Sequence, residues 1–285
     1  MSEMFGFDAF SPKEIAARVE TVGVAKARLP LIPMLMLSVL AGAFIGLGAL
    51  YFVIIRSDPS LGFAGKQVLG GITFSLGLIL VVVAGAELFT GNNLLAMAWA
   101  DGKISTLELL RNWAIVCIGN FIGAAGLALL VFLSRHPEMN NGGIGQEYLK
   151  IATAKVALPF WATFFKGILC NVLVCMAVWM AFAGRSVIDK AVAIVFPISA
   201  FVAAGFEHSI ANMYFFTLAM LLQSFGDSGM SAITITWAGF FRNLVPVILG
   251  NIVGGSVLVG LVYHLIYRRV PEDEDDNWEA NPTDD

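Results

Sequence analysis

Residues 205–213 read GFEHSIANM, with long apolar runs before and after them. Glu207 and His208 stand side by side in a stretch otherwise suited to hydrocarbon. In a soluble protein such a pair is ordinary. In a bilayer an ionisable side chain is costly to hold, and it marks a functional position. A second interruption precedes it: residues 84–93 read AGAELFTGNN, again inside a run too long for one uninterrupted crossing.

The surrounding chain settles the solvent. Of 285 residues, 58% are hydrophobic and 13% charged, and mean hydropathy is +0.80. Soluble domains run nearer about 45–50% apolar and about 25% charged. This is therefore the composition of a polytopic membrane protein, whose length counts spans. The net charge of −4 comes largely from PEDEDDNWEANPTDD (271–285), which has no basic residue and reads as a solvated, disordered tail. No basic patch exists to support a nucleic-acid partner. Cys117, Cys170 and Cys175 all lie in apolar runs without a CxxC pair, so they read as packing residues and neither a disulfide framework nor a metal site is expected. The N-terminus lacks a basic segment followed by an apolar one and is not a signal peptide. Its Ser-Pro start leads into EIAARVETVGVAKARL, which reads as an amphipathic helix lying on the membrane surface.

About 20 apolar helical residues cross about 30 Å of hydrocarbon. Six candidates follow, at roughly 30–55, 68–100, 112–134, 157–183, 188–225 and 236–267. The second and fifth carry the polar breaks. Three parts result: a cytoplasmic segment 1–29, a six-span domain 30–268, and the acidic tail 269–285. An even number of crossings puts both termini on one side. With the N-terminus inside, cytoplasmic segments carry 10 Lys/Arg and external ones 6, while Lys166 lies within a span. That bias places both ends in the cytoplasm. His136 and His264 fall near span ends, where a solvated imidazole is the simplest reading.

The two halves resemble each other. RNWAIVCIGNFIGAAGLALL (111–130) and RNLVPVILGNIVGGSVLVGL (242–261) agree at 8 of 20 positions. At an offset of 120, Ala84, Gly85, Glu87 and Asn92 match Ala204, Gly205, Glu207 and Asn212, and KARLP (26–30) echoes KVALP (155–159). Repeats of about 26–134 and 155–267 each contain three spans, so they must be inverted in the membrane. Inverted repeats with one discontinuous helix each are a transporter plan. Irregular backbone at membrane depth is tolerated only where it is buried or lines a polar path. The breaks are therefore expected to meet beside one path. Gly42 and Gly46 make a GxxxG spacing that serves helix packing.

AGAELFTGNN, KGILCNVLVCMAVWM, GFEHSIANM and GNIVGG together resemble the formate/nitrite transporter family of bacterial anion channels, over roughly residues 10–268. The resemblance implies an all-α membrane protein of six transmembrane helices in two inverted repeats, aquaporin-like in architecture, with the second and fifth helices interrupted. It also implies a homopentamer in the inner membrane with a pore in each protomer, and no cofactor. His208 matches the family's central pore histidine, Thr90 the threonine on the opposing loop and Asn171 the pore asparagine. Phe74, Leu78, Leu88, Phe89, Val174 and Phe201 match apolar constriction positions, and Lys155 a vestibule lysine. FSLGLIL and GRSVIDKA look like the formate members, FTGNN and FFKGILCN like the nitrite members.

These residue types suit anion passage. Removing a small ion from water costs of order 20 kcal/mol before relaxation. A pore must recover that cost without holding the ion too tightly. Helix-end N–H groups, the Thr90 hydroxyl, the Asn171 amide and the His208 imidazole can each donate to the anion, and His208 can also supply a proton. Glu87 and Glu207, with Asn92 and Asn212, are expected to hold the breaks together by bonding backbone amides, because a carboxylate in the path would repel the anion. The expected function is a channel for small monovalent anions, formate first, with nitrite or hydrosulfide as alternatives. A neutral-solute channel is the weaker reading, since no NPA box occurs. Neither a hydrolase motif nor a Walker motif is present, and Ser209 beside His208 points about 100° away on a helix.

Overall fold

The computed structural model describes residues 10–226 and 234–268. The expected acidic tail lies outside these residues. All regular structure among the described residues is helical.

Helix α1 (Pro12–Ala27) starts at Ser11, whose side chain caps the Glu14 N–H while Glu14 reaches back to the Ser11 N–H. Pro12 occupies the first turn, where its missing N–H costs nothing. The Ser11 N–H and hydroxyl hold the Glu14 carboxyl below its ordinary range. The helix does not lie free on a membrane surface. Ile15, Ala16, Val19, Gly23 and Ala27 are buried against the protein. Glu20 is buried too, paired with Lys103 and Arg268, which ties α1 to the far end of the chain. Burial and the nearby Arg268 push the Lys103 ammonium pKa down.

The chain continues through α2 (Leu31–Ser57), α3 (Phe63–Phe74) and α4 (Leu76–Ala84). A 3₁₀ turn (Gly91–Leu95) and short α5 (Ala96–Ala100) lead to α6 (Thr106–Leu133). A 3₁₀ turn at His136–Glu138 precedes α7 (Gly143–Val156). Then come α8 (Phe160–Ala183), α9 (Val187–Ala203), α10 (Ser209–Phe225) and α11 (Trp237–Ile252). A π-helical segment (Val253–Leu261) runs into α12 (Val262–Tyr267).

Among the described residues, five helical runs are long and apolar enough to cross a membrane: Leu31–Ser57, Phe63–Ala84, Thr106–Leu133, Phe160–Ala183 and Trp237–Tyr267. The expected fifth span is divided into α9 and α10, of 17 residues each. Helix α2 packs along α6, and α8 along α11. A large core of Leu, Ile, Val, Phe and Ala joins nearly all the long helices. Within it the Tyr148 and Tyr214 hydroxyls bond at 2.8 Å, one donating and the other accepting, so each buried oxygen has a polar partner. His264 is buried, 8% exposed, rather than solvated, because α12 returns against α1 and α5. His136 is half-buried.

Candidate functional site at the two helix breaks

Helix α4 stops at Ala84 and α9 at Ala203. Gly85 follows at φ 80° and Gly205 at φ 69°, the left-handed region that glycine enters without Cβ strain. The next amides turn back on their helices: Ala86 N–H donates to Val81 O (2.9 Å) and Phe206 N–H to Phe201 O (3.0 Å). Short non-helical stretches then carry Glu87–Thr90 and Phe206–His208 into the interior.

Both stretches are held by the same bonds. Glu87 pairs with Lys26 (2.9 Å) and accepts from the Asn92 amide (2.7 Å). Glu207 pairs with Lys155 (2.8 Å) and accepts from Asn212 (2.7 Å). Asn92 also donates to Asn112 (3.0 Å), and Asn212 to Asn243 (2.8 Å). Asn112 and Asn243 donate to the carbonyls of Lys26 and Lys155. Asn120 donates to Ser38 O and Glu87 O and accepts from Phe89 N–H. Asn251 likewise donates to Gly167 O and Glu207 O and accepts from Ser209 N–H. The Glu87 and Glu207 N–H groups go to Leu37 O and Lys166 O. The carboxylates therefore bond lysine and asparagine side chains, not the backbone amides expected from the sequence. A buried carboxylate takes a charged partner where one is within reach, since charge-assisted bonds are the stronger.

The breaks meet at one point. Thr90 Oγ1 lies 3.1 Å from His208 Nε2, and both residues are buried. His208 is also the N-cap of α10, its Nδ1 accepting the Ala211 N–H at 3.1 Å. That bond fixes the tautomer of the neutral ring: Nδ1 accepts, so Nε2 carries the hydrogen and donates to Thr90. The Thr90 hydroxyl proton then remains free to donate elsewhere. Asn171 is close, but its amide is turned to Thr90 O (3.2 Å), Asn93 Oδ1 (2.8 Å) and Asn251 O (2.7 Å).

Two cavities lie about this contact. One, of about 270 Å³, is lined by Arg18, Lys26, Lys190 and Glu87 together with the apolar Leu78, Val81 and Leu88. The other, of about 100 Å³, is lined by Lys155, Glu207 and His208 with Phe52, Phe74, Phe201 and Phe215. Phe201 packs face-on to the His208 ring at 5.8 Å and edge-on to Phe74 at 5.7 Å. Four of the six apolar residues singled out in the sequence thus line a cavity: Phe74, Leu78, Leu88 and Phe201. Phe89 and Val174 are buried beside them but line neither. Lys155 lines the smaller cavity. Lys166 is half-buried on α8, and its carbonyl helps hold the break.

The model of a known family, described as formate/nitrite transporter, matches residues 13–265. The chain belongs to that family. Among curated relatives in the formate/nitrite transporter family, the formate channel FocA of Escherichia coli is 39% identical over 274 residues, covering 92% of this chain and 96% of that protein. Among solved structures, a pentameric formate channel with formate bound superposes with a TM-score of 0.79 at 38% identity, covering 83% of this chain and 97% of the other. A second, described as an FNT family ion channel, gives 0.78 at 32% identity, covering 90% and 99%. The chain is thus a multi-pass membrane protein of a transporter family and not an enzyme.

Several site residues of this family member carry no mark in the sequence that singles them out. Asn112, Asn120, Asn243 and Asn251 sit inside the matched repeat segments, and two matched pairs of buried asparagines were the available signal. Lys26 was visible only as one letter of the KARLP echo. Phe52, Phe215 and Ser256 had no signal beyond ordinary apolar or small-polar helix composition, and Asn93 had only its place in the AGAELFTGNN break.

Proposed function

We propose that the chain forms a channel for small monovalent anions, formate first, with one pore per protomer of a homopentamer in the bacterial inner membrane. Six crossings in two inverted repeats fit best, with α3–α4 and α9–α10 contributing the interrupted elements and both termini cytoplasmic. The paired hydrogen-bond sets around Glu87 and Glu207 support the repeat, since each bond recurs at the offsets seen in the sequence. The larger cavity, beside α1, opens to the cytoplasm, and the smaller one to the outside.

The observation that carries the reading is the Thr90–His208 contact, with one cavity lined by His208 and the other by Leu88 and Gly91 on either side of Thr90. Cations at each cavity draw an anion inward: Arg18, Lys26 and Lys190 on one side, Lys155 on the other. Leu78, Leu88, Phe74 and Phe201 then strip its water. At that point His208 Nε2–H and the Thr90 hydroxyl donate to it, in place of their bond to each other. Both are neutral donors, so they offset desolvation without trapping the ion. Complete proton transfer from His208 requires an imidazolium. The added proton must occupy Nδ1, which releases the Ala211 cap, so hydrogen bonding and protonation are structurally distinct states of α10.

Flux into liposomes containing the purified protein tests this. Formate, nitrite, hydrosulfide and glycerol are compared in one preparation. Formate entering fastest, with glycerol excluded, is the expected result. Glycerol passing as fast as formate would return the protein to the neutral-solute class.

A further inference from the structure

Around Thr90 lies a polar cluster that the paired scaffold does not require. The Thr90 carbonyl accepts from the Asn171 amide (3.2 Å) and the Cys175 thiol (3.4 Å). Asn171 also binds Asn93 Oδ1, and Ser256 Oγ donates to Asn93 O at 3.0 Å. Ser256 and Gly255 lie in the π-helical segment, where the wider turn presents backbone toward the Gly91–Leu95 turn. Such segments concentrate at functional sites. Gly255 abuts the cluster directly: a Cβ there would lie 2.3 Å from Asn171 Nδ2, 2.7 Å from Cys175 Sγ and 2.8 Å from Asn93 Cβ.

The equivalent positions around the other break show what the scaffold can do without. At the offsets that relate the repeats, Asn171 corresponds to Gly42, Cys175 to Gly46 and Asn93 to Met213. Gly255 and Ser256 correspond to Ala124 and Ala125, Thr90 to Ile210, and His208 to Leu88. The lysine, glutamate and asparagine ties are present twice. The polar cluster is present once, on the Thr90 side. Buried polar groups kept at one of two equivalent places serve something other than holding the break.

We propose that Asn93, Asn171, Cys175 and Ser256, packed against the Cβ-less Gly255, form a positioning shell that sets the Thr90 hydroxyl against His208 and so tunes anion selectivity. This rests on the reading of Thr90 and His208 as the point of selection. The shell residues act through Thr90 and do not themselves touch the anion.

The test is a double-mutant cycle on the full-length channel in liposomes, reading the formate-to-nitrite flux ratio and the pH profile of formate flux. Variants are Thr90→Val, Gly255→Ala, Ser256→Ala, and each of the latter two combined with Thr90→Val. The expected result is that Gly255→Ala and Ser256→Ala shift the ratio in the same direction as Thr90→Val, by roughly fivefold, the size of one neutral hydrogen bond. Their effects vanish in the Thr90→Val background, because interacting residues are not additive. A merely structural role lowers the amount of assembled channel and leaves ratio and profile alone. Should Gly255→Ala fail to assemble, Ser256→Ala, which only removes a hydroxyl, decides the matter. Parent-like ratios in both shell variants, or effects that multiply with Thr90→Val, overturn the proposal. A parent-like Thr90→Val instead removes the underlying reading, and the shell falls with it.

Discussion

His208 has two duties at once, as cap of α10 and as donor to Thr90. Substitutions separate them. Asparagine is among the best N-cap residues, whereas alanine cannot cap, at a cost of about 1 kcal/mol. His208→Asn should therefore melt in detergent near the parent temperature, and His208→Ala several degrees lower; equal melting of the two would mean that the cap contributes nothing. Phe201 stacks on the same ring. Phe201→Ala should widen and wet the smaller cavity and raise leakage of glycerol into liposomes several-fold, while an unchanged glycerol rate would remove Phe201 from the constriction. His208 was legible from its setting in a polar break, and Thr90 from the family resemblance. What Asn171 bonds was not, because spacing along α8 says nothing about which carbonyls of other elements its amide meets.

Each break depends on one ion pair and a set of asparagines. Glu207→Ala leaves Lys155, with 14% of its side chain exposed, without its carboxylate. Breaking a buried pair by removing one partner costs about 3–5 kcal/mol. The variant should lose most of its assembled channel on size-exclusion chromatography, and Glu207→Gln less, since its amide oxygen still accepts from Asn212. Parent-like yields of both would show that the Lys155 pair is dispensable. The helix pairs are close enough that small residues are obligatory. A Cβ on Gly123 would lie 1.9 Å from Val39 O, so Gly123→Ala should separate α2 from α6 and lower the melting temperature more than Gly126→Ala, which meets nothing. The matched glutamates, glycines and asparagines made the breaks and the repeat visible in the sequence. The 3₁₀ turn, the π-helical segment and the docking of α1 were not visible. Their form follows from tertiary hydrogen bonds and from the Glu20–Lys103–Arg268 cluster, which joins residues distant in the chain.

At the scale of the molecule, the composition already excluded a soluble fold, and the excess of Lys and Arg in one set of loops is the basis of the proposed orientation. Native mass measurement in detergent should give five copies of the chain; a persistent monomer would contradict the proposed assembly. The reconstituted protein is also where the central claim is tested, namely that an anion gives up its water between Thr90 and His208 and is offered the imidazole there. The measurement is stopped-flow formate uptake into liposomes between about pH 5 and pH 8, a range that brackets the reference imidazole pKa. Parent and His208→Asn channels are reconstituted at equal density. An amide caps α10 and donates a hydrogen bond but carries no titrating proton, so the variant should still conduct formate while losing the pH dependence of the parent flux. A His208→Asn channel whose flux follows pH as the parent's does would place the proton-sensitive step away from this contact and contradict the account.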